Sequence, residues 1–159
     1  MSYREETRPE EAVRIDIPRR LLDRYGLAGS ITVASYPAPV AIWQRVLALS
    51  RRETPQTRDA FDLDHLMRAA SAADVERGRA LVSGRMTLDQ VGEACKTVSR
   101  FGQELFLGQT AMFLPDTHRQ QAIDGWAATR DRVWYWLADT VECMRDIPEP
   151  RNEVPDAEE

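Results

Sequence analysis

Apolar and polar residues alternate near the N-terminus, and the spacing then becomes helical for most of the chain. Ile15 and Ile17 alternate with polar neighbours, which is typical of a half-buried strand. Pro18 can begin a helical turn because it has no N–H to leave unbonded and its φ suits a helix. Gly26 can adopt the left-handed conformation that ends such a turn. The segment 30–36 then predicts a second strand.

The segment after the Pro37-Ala38-Pro39 corner has two interpretations. A third strand is predicted over Val40–Trp43, followed by a helix from Gln44 to Arg52. The alternative begins this helix at Val40, because the apolar residues from Val40 to Leu47 also keep helical spacing. Periodicity alone does not choose between the two.

From residue 58 onward the pattern is helical. Ser71, with Asp74 three residues later, can begin one helix, and Thr87-Leu88-Asp89-Gln90 forms a capping box that can begin another. The spacing predicts a continuous helical seam over Thr87–Leu107. The last helix is predicted from Pro115 to about Asp146, a rod of about 45 Å. It therefore needs a further helix, from this chain or a second one, along part of its length.

Composition and charge complete this organisation. The chain has 159 residues, a net charge of −5 and no run of apolar residues long enough to cross a membrane, so a cytoplasmic protein is expected. We expect an α+β fold in which a small N-terminal β module is followed by an α-helical bundle with a long C-terminal helix. The predicted segments are a flexible N-terminus (1–9), the β module (10–53), the helical region (57–147) and a disordered acidic tail (148–159).

The N-terminal module resembles the swapped-hairpin domains of the MraZ and AbrB families as a single half-repeat over about residues 10–43. The pattern is Arg-Ile-x-Ile-Pro, then Leu, a Gly-Leu pair, a strand and a closing Ile-Trp. The matching positions are Arg14, Ile15, Ile17, Pro18, Leu21, Gly26, Leu27, Val33, Ile42 and Trp43. The resemblance implies a homodimer or higher oligomer, because such domains interleave two copies to close their core.

That resemblance also implies a function: a non-enzymatic, DNA-binding transcriptional regulator. The DNA-binding candidates are Arg14, which would touch duplex DNA most directly, and Arg19, Arg20 and Arg24, which would contact phosphates. A second interpretation treats these arginines as solvated charges paired with nearby acids.

The last helix is unusually aromatic, and it supplies the alternative function. Trp126, Trp134, Tyr135 and Trp136 make it apolar on more than one side. Such a helix is either buried within a bundle or docked on a partner. These four residues are therefore the candidate contacts for a protein partner, and the alternative function is that of an interaction or assembly subunit that self-associates through the N-terminal module.

No catalytic motif is recognised in the sequence, and no cofactor or metal is expected. Asp62, Asp64 and His65 lie close together, but successive helical residues point about 100° apart, so the three side chains do not converge. They are interpreted as a solvated helix surface.

Overall fold

Seven α-helices and one two-stranded sheet form the part of the chain that the computed structural model describes, residues 12–146. The predicted flexible N-terminus and acidic tail lie outside these residues. In chain order the elements are β1 (Val13–Asp16), α1 (Arg19–Arg24), β2 (Thr32–Ser35), α2 (Ala38–Arg51), α3 (Thr57–Ala69), α4 (Ala72–Arg85), α5 (Leu88–Ser99), α6 (Gln103–Gln109), a 3₁₀ turn (Ala111–Phe113) and α7 (Asp116–Arg145).

The two strands form an antiparallel pair within the same chain, with Ile15 opposite Val33. The ladder continues beyond the strands, because the Ile17 N–H donates to the Ile31 carbonyl oxygen at 2.8 Å. Helix α1 lies in the connection and is followed by Gly26, whose φ of 65° is the expected left-handed conformation. The strands and the proline-initiated turn are thus confirmed.

The predicted α+β fold class is nevertheless wrong, because the structure is 73% helical with only this pair of strands, and no swapped-hairpin module is formed in the described residues. The predicted third strand at Val40–Trp43 is instead the first half of α2. Pro37 and Pro39 stand at the start of this helix, where a missing N–H costs nothing. Ile42 and Trp43 are both buried there, which the all-round contacts of a central helix explain.

Helix α2 is the centre of the bundle and packs against α3, α4 and α5. Gly78 of α4 allows α4 to lie close against α2, since a Cβ at this position would lie 3.0 Å from Ile42 Cγ2. The core consists of large apolar side chains from all the longer helices: Ile42, Val46, Leu49, Leu63, Val82, Val91, Val98, Phe106, Trp126, Val133 and Leu137.

The predicted helix starts at Ser71 and Thr87 are confirmed. The Ser71 hydroxyl accepts from the Asp74 N–H, and Thr87 forms the full capping box with Gln90. The continuous helix over Thr87–Leu107 is wrong, because α5 ends at Ser99 and α6 begins after Gly102. This break lets the buried Phe101 enter the core.

The long final helix is confirmed as α7, with 30 residues. Its contacts come from this chain: it packs along α5 and α3 and touches α6 and α4. Trp126 is buried and its ring stacks on Phe106 with centroids 4.2 Å apart. Within residues 12–146, no helix combines the length and the apolar character that a membrane span requires.

Candidate functional site: an arginine-lined cavity

A cavity of about 470 Å³ opens beside helices α2, α3 and α6. Its wall contains three arginines, two aspartates, two glutamines and several apolar side chains. The lining residues are Arg45, Arg52, Gln56, Arg58, Asp59, Phe61, Asp62, Gln109, Thr110, Phe113 and Leu114.

Helical spacing places the charged groups on the cavity wall. Arg45 and Arg52 are seven residues apart, which is about two turns, so α2 and its C-terminal end present them on one side. Asp59 and Asp62 are three residues apart in the first turns of α3 and therefore share a face.

Polar contacts join the start of α3 to the end of α6 beside the cavity. The Thr57 N–H donates to Gln109 Oε1 at 2.9 Å, and the hydroxyl groups of Thr57 and Thr110 are 2.8 Å apart. Both threonines are buried, so each satisfies the other's polar atom. These bonds hold the start of α3, which carries Asp59, in a fixed position relative to the end of α6.

Asp59 lies at the centre of the site and is only 1% exposed. Arg45 Nη1 donates to Asp59 Oδ1 at 3.0 Å, and Arg52 Nε lies 3.0 Å from Oδ2. Burial raises the pKa of Asp59 above its usual value, against the opposing charges of Arg52 and Arg45. The Asp59 carboxyl group therefore binds two guanidinium groups, although its burial disfavours its charged form.

The outer part of the site is open to solvent. Asp62 Oδ2 lies 3.2 Å from Arg45 Nη2 and 3.6 Å from Arg58 Nε, and the Arg58 side chain is 72% exposed. The three arginines outnumber the two aspartates, so the cavity wall carries an excess of positive charge. Phe113, which is 75% exposed, adds an aromatic surface to the wall.

A second buried carboxylate lies elsewhere on α3. Asp64 accepts from Arg132 Nε and Nη2, each at 2.8 Å, and from the Thr129 hydroxyl at 3.3 Å. The sequence interpretation of Asp64 as a solvated residue is therefore wrong: the side chain is buried and joins α3 to α7. The hydrogen bonds that Arg132 donates to the Asp64 carboxylate raise the pKa of Arg132.

The four arginines predicted to bind DNA lie on the hairpin and α1, and none lines the cavity. Arg19 pairs with Asp23 at 2.8 Å and donates to the Gly29 carbonyl oxygen at 3.1 Å. Arg14, Arg20 and Arg24 are exposed.

The four aromatic residues predicted to bind a partner have different environments. Trp126 is in the core, whereas Tyr135 is exposed and makes an edge contact with the half-buried Trp134. Trp136 is covered by the Arg79 guanidinium, whose carbon lies 5.1 Å from the ring centre. They therefore do not form one continuous exposed surface.

Sequence reasoning did not identify Arg45, Arg52 and Asp59 as a group. The spacing of Arg45 and Arg52 places them on one face in any helix that contains both, but the approach of Asp59 on α3 depends on how the two helices pack. Both interpretations of the segment after Pro39 contained the helical spacing of the two arginines, and neither contained the contact with Asp59.

The family model described as "Nucleotidyl transferase AbiEii toxin, Type IV TA system" matches residues 1–133 of the chain. The chain therefore belongs to a family of nucleotidyl transferases. More particularly, it is a member of the AbiEii family of toxins from type IV toxin–antitoxin systems, so an antitoxin counterpart is implied. No curated protein and no solved structure matched the chain significantly.

This membership corrects three expectations. The resemblance to the MraZ and AbrB domains is wrong, since it covered about a quarter of the chain and the family match covers most of it. The DNA-binding transcriptional regulator is wrong, and the assembly subunit offered as its alternative does not match either. The expectation of a non-enzymatic protein is also overturned, because the family is one of nucleotidyl transferases.

Nucleotidyl transfer generally uses divalent metal ions held by carboxylates. Asp59, Asp62 and Asp64 do not suit this chemistry, because Asp59 and Asp62 are paired with the cavity arginines and Asp64 with Arg132. Between residues 12 and 146, no three acidic, histidine or cysteine side chains are grouped so that they could hold a metal ion. No step of the reaction is therefore assigned to a metal bound by these residues.

Proposed function

We propose that this chain acts in a nucleotidyl transferase toxin, and that the arginine-lined cavity binds the phosphate groups of the nucleotide. The observation that carries the proposal is the convergence of Arg45, Arg52 and Arg58 on one cavity. Arginine suits this role because its planar guanidinium group can donate two parallel hydrogen bonds to phosphate oxygens. A volume of about 470 Å³ also lies in the range of small-molecule sites.

The two aspartates hold the cavity arginines in place but do not neutralise all of their positive charge. Asp59 is buried behind Arg45 and Arg52 and fixes their positions, so less conformational entropy is lost when phosphate binds. Arg58 is held only by an ion pair of 3.6 Å at the open edge, and it can turn to an incoming phosphate at little cost.

The remaining wall suits the base and sugar of a nucleotide. Phe113 exposes a ring on which a base can stack, an interaction that is worth about 1–3 kcal/mol per base. Gln56 and Gln109 add amide groups that both donate and accept hydrogen bonds. The cavity would therefore bind and orient a nucleotide, and the transfer step itself would need groups beyond those described.

Binding of labelled ATP, GTP, CTP and UTP to the purified chain, measured by equilibrium dialysis, tests the proposal. Arg58→Gln is the informative variant, because its side chain is exposed and its loss leaves no buried charge. We expect the dissociation constant of the preferred nucleotide to rise roughly tenfold, the cost of about one charged hydrogen bond.

Arg77→Gln is the matched control, since Arg77 is also exposed and pairs with a nearby aspartate, at 2.6 Å, but lies outside the cavity. The control should bind nucleotide as the natural chain does. Equal affinities for all three proteins, or no binding of any nucleotide, would refute the assignment of the cavity.

The partner and the location follow from the same proposal. A toxin that consumes nucleotides would act in the cytoplasm, where they are abundant, and its toxicity on expression should be relieved by its antitoxin. Growth of cells that express the natural chain or Arg58→Gln, with and without the antitoxin, is the corresponding assay.

A further inference from the structure

Asp62 lies between two of the cavity arginines and contacts both with the same oxygen atom. Its Oδ2 is 3.2 Å from Arg45 Nη2 and 3.6 Å from Arg58 Nε. These two arginines belong to different helices, α2 and α3, and both line the cavity. A carboxylate oxygen and a phosphate oxygen accept hydrogen bonds from guanidinium groups in the same way. In the structure, Asp62 Oδ2 therefore occupies a position that suits a phosphate oxygen of a ligand.

The Arg45 guanidinium group has two carboxylate partners, and these differ in how firmly they are held. Its Nη1 donates to Asp59 Oδ1 at 3.0 Å, whereas its Nη2 faces Asp62. The Asp59 side chain is only 2% exposed and also pairs with Arg52, so its displacement would break two charged contacts in the interior. The Asp62 side chain is 27% exposed, and its contacts with the arginines are longer. An anion that arrives from solvent can therefore displace Asp62 and reach Nη2, while Asp59 keeps the guanidinium group in place.

We propose that Asp62 competes with the phosphate of the nucleotide for Arg45 and Arg58, and so limits the affinity of the cavity. The inference rests on the proposed function, because it takes the cavity as a phosphate site. Binding exchanges two carboxylate contacts for two phosphate contacts, so only the difference between them contributes to affinity. Exposed ion pairs are individually weak, and Asp62 therefore weakens phosphate binding by a moderate factor without preventing it. This makes Asp62 an autoinhibitory contact: its loss strengthens binding, whereas the loss of a residue that supports the site weakens it.

Titration calorimetry with inorganic tripolyphosphate, a probe without base or sugar, measures this competition on the full chain. The variants Asp62→Ala and Asp62→Asn are compared with the natural chain. Both remove the carboxylate charge, and alanine adds no hydrogen-bond donor that could itself attract phosphate. We expect the dissociation constant to fall about three- to tenfold for both variants, the factor that the loss of two weak ion pairs allows.

Asp116→Asn is the matched control for the change in net charge. Asp116 lies two positions after Leu114 of the cavity wall and pairs with Arg119 at 2.7 Å, but it does not line the cavity. Because solvent and salt screen such a charge, its removal should change the dissociation constant by less than about twofold. An equal gain from Asp116→Asn would overturn the competition, and so would a gain confined to Asp62→Asn, which would come from the new amide group.

The outcomes separate this inference from the proposed function. Suppose that the natural chain binds tripolyphosphate and that Arg58→Gln weakens this binding. Unchanged or weaker binding by Asp62→Ala would then overturn the competition and leave the phosphate site standing. Binding by none of the proteins, or binding that Arg58→Gln leaves unchanged, would refute the phosphate site and the competition with it.

Discussion

The contact between Asp64 and Arg132 gives the sharpest test of how α3 is held against α7. The Asp64 side chain is 6% exposed and accepts two bonds of 2.8 Å from Arg132, whose side chain is 46% exposed. The variant Arg132→Gln removes the charge that balances Asp64 and shortens the donor. Only the Thr129 hydroxyl, at 3.3 Å, and the more distant Arg68, at 3.9 Å, then remain near the carboxylate.

The size of the effect follows from this geometry. Breaking a fully buried ion pair costs about 3–5 kcal/mol because one charge is left without a partner. Arg132 is half exposed and water can reach the carboxylate when it is lost, so we expect the free energy of unfolding to fall by about 1–3 kcal/mol. Urea unfolding followed by circular dichroism at neutral pH measures this, with an unchanged m-value showing that the same surface is exposed.

Three further variants separate the pair from its surroundings. Arg130→Gln is the control, because Arg130 pairs with the adjacent Asp131 at the surface, and we expect a change below about 0.5 kcal/mol. Asp64→Asn combined with Arg132→Gln completes a double-mutant cycle, in which the double variant should lose less than the sum of the singles. A loss below about 0.5 kcal/mol for Arg132→Gln, or strict additivity, would refute the role given to this contact.

Three other predictions concern packing, capping and pH. Gly78→Ala should lower the free energy of unfolding by about 1 kcal/mol, because the clash with Ile42 outweighs the better helix propensity of alanine; a higher melting temperature would contradict this. Thr87→Ala should cost about 1 kcal/mol in urea unfolding through loss of the capping box, while Thr87→Ser should be near neutral, and equal losses would exclude capping as the cause. The pKa of Asp59 is higher in the folded chain than in the unfolded chain, so the folded chain binds more protons between these two pKa values. Asp59 therefore makes the free energy of unfolding fall as the pH rises from the unfolded pKa to the folded pKa. Asp59→Asn should remove that part of the slope in unfolding at a series of acidic pH values, and an unchanged slope would show that the carboxyl is not desolvated.

A strand, a proline-initiated turn and a glycine stop do not by themselves specify a swapped-hairpin domain. Strand, proline-initiated turn and glycine stop are real features around Pro18 and Gly26, and the structure contains them. They are also compatible with a hairpin beside a helical bundle. Residues Val40–Trp43 distinguish the two folds. A strand there would be the third strand of a swapped-hairpin domain, whereas the structure has a helix there and so lacks that strand.

The sequence by itself determined the features that depend on neighbours along the chain. The caps at Ser71 and Thr87, the left-handed Gly26 and the long helix α7 follow from side-chain chemistry and spacing over a few residues. Only the tertiary structure decided whether residues 40–43 were helix or strand, because burial on all sides of α2 overrides a short apolar pattern that suits both. The tertiary structure likewise brought Asp59 to Arg45, which is 14 positions away in the sequence, and Asp64 to Arg132, which is 68 positions away. Contacts over such separations depend on how the helices pack.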